Sequence, residues 1–434
     1  MSDKPLTAII VGAGHRAFAY ANYALTNPDK LKITGVADPN PDRRALAAKR
    51  FGFGEERCFE TARELALQPK LADAIINGTM DHKHVATSLP LLKRGYNMLL
   101  EKPFAVNERE MRQLVKEVKR YKSTVMICHV LRYAPFYASI KQKINDNAIG
   151  DIINIQLTEH VSYHHMAVGY VRGKWSNSKK CHSSMLLAKS CHDMDILMWM
   201  KSGIKPVRVA SFGDNFQFVP PKCPPNAGTR CLVDCPIEKD CLYSAGKHYI
   251  DHPDRWAFYV WDSLEHIENP TIEQKIDSLK KENPYGRCAW KCDNNVVDHQ
   301  SVIVEFEDNS TGTLNMIGGV SRPERSIHII GTTGEIKGVL DEAKFNIRTI
   351  DPRPGHEYSE EVIDLNIKGD TVGAFGGHGG GDERLAADFV SFARGEKPSI
   401  SCTVLEDSIN GHLAVFRADI AREKRRGISL GKNA

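Results

Sequence analysis

Two segments far apart in the chain carry side chains that are suited to acid–base chemistry. Lys102 follows Glu101 and precedes a proline, directly after an apolar run, and His192 lies in the segment 189–195 (KSCHDMD), where a helix over 193–200 is predicted. A lysine ammonium can stabilise negative charge that develops on an oxygen, and an imidazole can take a proton near neutral pH. We therefore predict Lys102 and His192 as catalytic residues. The alternatives are a surface Glu-Lys step before a turn and a histidine that only supports a helix start.

A glycine-rich turn, Gly12-Ala13-Gly14, joins the first predicted strand to a helix. Glycine permits a sharp turn and a close approach of the backbone to a pyrophosphate. Asp38 ends the second predicted strand, 24 residues after Gly14, where a carboxylate accepts hydrogen bonds from a ribose and repels a 2′-phosphate. The spacing predicts a site that binds NAD in preference to NADP; a tight turn without a ligand is the alternative. The predicted cofactor contacts are Gly12, Ala13, Gly14, His15, Arg16, Asp38, Thr79, His84, Glu101 and Lys102.

The elements that must position these residues alternate between strand and helix over the first 130 residues. Short apolar runs bounded by glycine or charge predict buried parallel strands, and amphipathic stretches between them predict helices. The predicted strands are 7–12, 31–37, 72–76, 97–100 and 124–129, and the predicted helices are 16–27, 41–51, 82–94 and 107–121. This alternation indicates a doubly wound parallel sheet, so we predict an NAD-binding Rossmann domain at 1–130.

The pattern changes after residue 150. Strands are predicted at 151–161, 301–306, 312–316 and 325–330, a turn at 331–334, and helices at 382–395 and 405–424. Their alternating polarity is typical of an antiparallel sheet. We predict an α/β protein whose second domain, at 131–434, is an α+β substrate and oligomerisation domain with a large, mostly antiparallel sheet. Residues 217–300 lack periodicity and are predicted to be an irregular, cysteine-rich insertion.

The insertion contains closely spaced cysteines. Cys231, Cys235 and Cys241 follow one another closely, with Cys223 upstream and Cys288 and Cys292 downstream. Thiolates at such spacing suggest structural zinc, with an iron–sulfur cluster as a weaker option. Buried free thiols without metal are the alternative.

Composition excludes several classes of protein. A formal net charge of +4 on 434 residues, without a dense Lys/Arg stripe, does not indicate nucleic-acid binding. No apolar segment reaches the roughly 18–20 residues that a membrane span needs. The N-terminus lacks the features of a signal peptide, so we expect a cytoplasmic protein with reduced thiols.

Taken together, the motifs resemble the Gfo/Idh/MocA oxidoreductases, named after glucose–fructose oxidoreductase and inositol dehydrogenase. The resemblance rests on the glycine turn, the segment 96–103 (YNMLLEKP), Arg132-Tyr133 and His192-x-x-Asp195, and it is closest to a sugar-acting branch that carries A-K-S-C-H-D, as at 188–193. It implies that Lys102 and His192 lie beside the nicotinamide. One departure is that Ala188 stands where many members place an aspartate.

The resemblance implies a sugar or polyol substrate and a homodimer or homotetramer. Hydrogen-bonding and aromatic side chains are expected around such a substrate, and the predicted contacts are His129, Tyr163, Arg172, Trp175, Lys189, Asp195 and His378. The predicted function is oxidation of a hydroxyl group by NAD, assisted by Lys102 and His192. The alternatives are an NAD-dependent glycoside hydrolase or lyase that oxidises its sugar transiently, and a regulator that binds NAD and sugar without catalysis.

Overall fold

The computed structural model describes residues 4–252, 255–365 and 377–430; the side chains of 377–379 and of 428 and 429 lie outside that description. Across these ranges, no helix is long and apolar enough to cross a membrane.

The N-terminal part of the chain forms a six-stranded sheet in which every neighbouring pair of strands is parallel. Its strand order is β3-β2-β1-β4-β5-β6, the doubly wound order of dinucleotide-binding sheets. The strands are β1 (Leu6–Val11), β2 (Leu31–Ala37), β3 (Cys58–Phe59), β4 (Ala74–Asn77), β5 (Asn97–Leu100) and β6 (Val125–Ile127). The predicted Rossmann sheet is therefore confirmed.

Six helices connect these strands: α1 (His15–Ala21), α2 (Tyr23–Thr26), α3 (Pro41–Phe51), α4 (Ala62–Leu67), α5 (His84–Lys93) and α6 (Glu108–Tyr121). Local sequence accounts for their ends. Helix α3 begins where the Asn40 side chain accepts the amide of Asp42 at 2.8 Å, and it ends at Gly52, whose φ of +73° favours glycine. Helix α6 is capped in the same way by Asn107.

The second sheet has nine strands in the order β14-β13-β12-β11-β7-β10-β9-β8-β15, and only the pair β7–β10 is parallel. The mostly antiparallel sheet is thus confirmed. Its strands are β7 (Ile152–Ser162), β8 (Pro206–Asp214), β9 (His299–Phe306), β10 (Thr311–Val320), β11 (Glu324–Gly331), β12 (Gly334–Val339), β13 (Lys344–Ile350), β14 (Tyr358–Asp364) and β15 (Ile428–Ser429).

Helices cover one face of this sheet. Leu197 and Val415, on two different helices, lie in one buried cluster with Leu157 and Val302 of the strands. The helices that follow β6 along the chain are α7 (Pro135–Asn145), α8 (Tyr163–Met166), α9 (Ser178–Cys181), α10 (Met185–Ala188), α11 (Cys191–Met200), α12 (Ala245–Tyr249), α13 (Ala257–Val260), α14 (Ile272–Lys280), α15 (Gly377–Ala393) and α16 (Leu405–Lys424).

In its described residues, the segment between β8 and β9 consists of short helices, turns and one isolated β-bridge, and it forms its own small core. Trp256, Val260 and Leu279 are buried there together with Val168, which precedes β8 in the chain. Helix α15, in contrast, returns to the first sheet, where Leu385 and Phe389 share a cluster with the strand residues of that sheet. The division of the chain at residue 130 remains a prediction.

Candidate active site

The glycine turn after β1 is packed tightly on one side and open on the other. Gly12 has a φ of +77°, and a Cβ there would lie 2.7 Å from the backbone nitrogen of Thr79. Gly14 has a φ of −86°, and a Cβ there would meet no described atom within 4 Å. Gly12 is therefore required by the fold of the turn itself. Gly14 leaves room in front of the turn, where a dinucleotide's pyrophosphate lies in Rossmann domains.

Asp38 lies against this turn, at the carboxyl end of β2. One carboxylate oxygen accepts the amide of Ala13 at 2.7 Å, and the other accepts the amide of Asn40 at 2.8 Å. Each oxygen retains a lone pair that can accept a hydroxyl hydrogen. The glycines and this acid therefore fit the adenosine half of a nicotinamide dinucleotide.

Arg16 and Glu101, both predicted as cofactor contacts, pair with each other. Arg16 Nε donates to Glu101 Oε1 at 3.0 Å and Arg16 Nη2 donates to Asp382 Oδ1 at 2.6 Å, while the Tyr20 hydroxyl donates to Glu101 at 2.8 Å. Burial alone would raise the pKa of Glu101, but the charges of Arg16 and Lys102 lower it below its usual value. The ionised pair ties α1 to the end of β5 and to α15.

Thr79 and His84 connect the loops after β4 and β5. The two ring nitrogens of His84 lie 2.7 Å from the carbonyl oxygen of Pro103 and 2.8 Å from that of Thr79. Since Pro103 follows Lys102, this histidine fixes the loop that presents the lysine to the carboxyl edge of the sheet.

Lys102 reaches across to the second domain. Its Nζ donates to the carbonyl oxygen of Ala188 at 2.8 Å. Ala188 ends α10, and His192 follows it by four residues, in the first turn of α11. The Ala188 carbonyl thus binds the ammonium at the position where the family resemblance leads one to expect an aspartate. This contact brings Lys102 to the segment that carries His192.

His192 is surrounded by buried polar residues. Its ring lies 5.7 Å from the ring of His129. Burial, together with the charges of Arg132 and Lys102, holds the pKa of His129 well below its usual value, so that ring is uncharged. Asp195, expected to contact substrate, instead accepts two hydrogen bonds from Arg132, at 2.6 and 2.7 Å. Through this pair Asp195 positions α11, and its contact with a substrate stays a prediction.

Lys189 belongs to a buried charge network that the sequence did not reveal. Its Nζ lies 3.0 Å from Glu159 Oε1, and Arg325 bridges Glu159 and Asp193, with 2.9 Å between Arg325 Nε and Asp193 Oδ1. Burial lowers the pKa of Lys189. The sequence signal for this network is Glu159 itself, an acid at one of the alternating buried positions of strand β7.

Aromatic side chains pack together near the loop that follows β4. The Trp256 ring lies 4.2 Å from His165, and its Nε1 donates to His164 at 2.9 Å. Trp175 donates to Asp81 at 3.1 Å and packs 5.7 Å from Tyr259. The predicted residue Tyr163 packs 5.3 Å from His164. The contribution of the insertion, through Trp256 and Tyr259, was not predicted.

Arg172 is buried and bonded to the insertion. It is 1% exposed, and its guanidinium donates to the carbonyl oxygens of Arg287 at 2.7 Å and Tyr243 at 2.6 Å. These contacts tie the insertion to the segment that follows α8, and substrate contact by Arg172 stays a prediction. The side chain of His378 lies outside the described residues.

The expected zinc site is not supported. Within residues 4–252, 255–365 and 377–430, no three histidine, cysteine, aspartate or glutamate side chains are grouped to hold a metal ion. Cys231 Sγ instead accepts Arg172 Nη2 at 3.6 Å, and Cys241 Sγ accepts the amide of Tyr243 at 3.3 Å. The Arg172 guanidinium occupies the space beside the Cys231 thiol, and its positive charge would repel a metal cation there.

The parallel sheet, the glycine turn and Asp38 are the features of a nicotinamide-dinucleotide-binding oxidoreductase fold. Residues 6–129 match the sequence model of GFO_IDH_MocA, described as an oxidoreductase family with an NAD-binding Rossmann fold. Over these residues the chain is therefore similar to the Gfo/Idh/MocA oxidoreductases.

Relatives and solved structures extend this likeness over the chain. YteT of Bacillus subtilis (strain 168), named as an oxidoreductase, is 23% identical over 368 residues, which cover 82% of this chain and 81% of YteT. Levoglucosan dehydrogenase in complex with NADH superposes with a TM-score of 0.68 and 17% identity, covering 99% of this chain and 100% of that one. Apo scyllo-inositol dehydrogenase from Lactobacillus casei superposes with a TM-score of 0.63 and 16% identity, covering 99% of each chain. At these identities the two structures show the shared fold.

Proposed function

We propose that the chain is an NAD-dependent dehydrogenase that oxidises a hydroxyl group of a sugar, a polyol or a sugar derivative. The observation that carries this proposal is the hydrogen bond of 2.8 Å from Lys102 Nζ to Ala188 O. It holds an ammonium from the dinucleotide-binding sheet beside the segment that bears His192. The names of levoglucosan dehydrogenase and scyllo-inositol dehydrogenase support the substrate class.

In this proposal, Gly12, Gly14 and Asp38 hold the adenosine and pyrophosphate parts of the dinucleotide. When bound, NAD supplies the hydride acceptor, which no amino-acid side chain can provide. An ammonium has three hydrogens, so Lys102 keeps one on Ala188 O and directs others to the substrate oxygen.

His192 is the proposed general base. As the carbinol carbon gives up its hydrogen as hydride, the imidazole takes the hydroxyl proton, and the Lys102 ammonium stabilises the negative charge on the oxygen. His129, uncharged and buried behind His192, adds no charge that would oppose protonation of that imidazole. The proposed substrate contacts remain His129, Tyr163, Arg172, Trp175, Lys189, Asp195 and His378.

Matched variants test these roles. Lys102→Met and His192→Asn should each lower turnover by about 10²-fold or more, while NAD still binds in calorimetric titration. Lys93→Met and His266→Asn alter exposed residues of the same types and should leave turnover unchanged. A near-normal rate for His192→Asn would remove this residue from the chemistry.

A redox-neutral glycoside hydrolase or lyase is the second candidate. The insertion favours this function, because its Phe258 ring stacks on His15 at the glycine turn, with 4.1 Å between the ring centroids. A cofactor covered in this way suits a reaction in which NAD is reduced and then reoxidised without leaving the site. A screen of sugars, polyols and aryl glycosides separates the two functions. Steady NADH accumulation from added NAD supports the dehydrogenase, whereas aglycone release without NADH supports the hydrolase or lyase.

We also propose that the chain forms a homodimer or homotetramer through the face of the second sheet that the helices leave open. Phe212, Ile303 and Val362 point away from the core and are 63%, 51% and 60% exposed. Phe212 and Ile303 lie on the neighbouring strands β8 and β9, and Val362 lies on β14 at the other end of the sheet; exposed apolar residues on a sheet face favour association. Light scattering of the purified protein tests the proposal.

A further inference from the structure

The insertion contacts the dinucleotide-binding domain at a second point, beyond the glycine turn. Glu265, in the segment after α13, accepts Asn40 Nδ2 at 2.6 Å and Arg43 Nε at 3.0 Å. The Glu265 and Arg43 side chains are 31% and 27% exposed. The insertion therefore places a carboxylate beside the loop that follows β2.

This loop is where the adenosine ribose binds in a Rossmann domain. Asn40 donates its amide to Asp38 Oδ1 at 2.8 Å, and its side chain caps the helix that carries Arg43. The carboxyl end of the second strand binds the ribose 2′-hydroxyl of NAD through an acid, whereas a nearby arginine accommodates the 2′-phosphate of NADP. The two contacts of Glu265 thus lie at the position that distinguishes the two dinucleotides.

The arginines that could receive a 2′-phosphate are already engaged. Arg43 is paired with Glu265, and Arg44 Nη1 donates to the carbonyl oxygens of Asp38 at 2.7 Å and Pro39 at 3.2 Å. A phosphate dianion would have to compete with Glu265 for Arg43 and would approach two carboxylates, those of Asp38 and Glu265. Like charges at close range disfavour binding, although solvent partly screens an exposed pair.

We propose that Glu265 is a specificity residue through which the insertion selects NAD and rejects NADP, by neutralising Arg43. The inference rests on the proposed function, since it requires that the chain binds a nicotinamide dinucleotide. Asp38 alone disfavours the 2′-phosphate; Glu265 additionally removes the cation that would offset this effect. An insertion from the second domain thereby completes the cofactor site of the first.

The test is the ratio of dissociation constants for NADP and NAD, measured by isothermal titration calorimetry on the full chain. Glu265→Gln retains an oxygen that can accept from Arg43 but removes the charge. It should tighten NADP binding about tenfold, or about 1.4 kcal/mol, and change NAD binding less than about twofold. Glu268→Gln alters an exposed acid of the same segment and should leave both constants unchanged.

A double variant separates specificity from a structural role. If Arg43 is the group that Glu265 releases, the gain in NADP affinity should disappear in Glu265→Gln/Arg43→Gln. Thermal unfolding of each variant checks that it is folded. An unchanged NADP/NAD ratio, or equal weakening of both cofactors, in a folded Glu265→Gln protein overturns the inference. If the wild-type chain binds neither dinucleotide, the proposed function itself fails, and the inference with it.

Discussion

The two glycines of the turn after β1 should respond differently to the same substitution. At Gly12, a Cβ would lie 2.7 Å from a backbone nitrogen, and the φ of +77° is strained for any other residue. Left-handed backbone costs roughly 1–2 kcal/mol, and forcing atoms into a packed region costs roughly 1–3 kcal/mol. Gly12→Ala should therefore destabilise the protein by about 3 kcal/mol and, for an unfolding entropy that scales with the 434 residues, lower the unfolding temperature by roughly 3 °C.

Gly14→Ala is the matched control. The φ of −86° suits alanine, and the added methyl group meets no described atom within 4 Å. Folding stability should be unchanged within about 0.5 kcal/mol. The methyl group would project toward the space in front of the turn, so NAD affinity should fall by tenfold or more, about 1.4 kcal/mol.

Calorimetric unfolding and NAD titration of both variants give four measurements. The expected pattern is a loss of stability confined to Gly12→Ala and a loss of NAD affinity without loss of stability in Gly14→Ala. Normal NAD binding by Gly14→Ala would refute the placement of the dinucleotide against this turn. An unfolding temperature of Gly12→Ala equal to that of the wild type would refute the steric reasoning at Thr79.

Two other outcomes concern stability and assembly. Burial lowers the pKa of His412 to about 3, whereas the unfolded chain binds this proton below about pH 6.5. Its contribution to stability is therefore present above pH 6.5 and declines by about 2 kcal/mol on going to pH 5. His412→Gln can still accept the Phe104 amide, and urea unfolding at pH 7 and pH 5 should show a correspondingly smaller loss; an equal loss would contradict this. On the open sheet face, Ile303→Glu should yield monomers by light scattering while the exposed-site control Lys93→Glu does not, and a monomeric wild type would exclude the proposed assembly.

Much of the first domain could be predicted because its signals are local. The helix 41–51 was predicted with its observed bounds, since Asn40 and Gly52 cap its two ends. The strands 31–37 and 97–100 also have their predicted bounds. Short apolar runs between glycines and charges mark buried parallel strands, and these marks do not depend on distant residues.

The prediction of the second sheet was less complete. Strand β8 was not predicted, because its partners β9 and β15 lie far from it in the chain. The strands β12 to β14, which form a meander with β11, were not predicted individually either. A glutamate is expected at the surface, but Glu159 is only 2% exposed. Lys189 and Arg325 compensate its charge, and Arg325 reaches it because β11 pairs with β7.

What the sequence by itself determined was the Rossmann domain, the glycine turn with Asp38, and Lys102 and His192 as candidates for chemistry. These follow from residue type and spacing within short segments. Only the tertiary structure showed that Lys102 binds the carbonyl of Ala188, that Arg172 holds the insertion, and that Glu265 reaches Arg43. Each of these contacts joins residues that are 71 or more positions apart. Their partners depend on how the domains and the insertion pack, and no local pattern in the sequence encodes that packing.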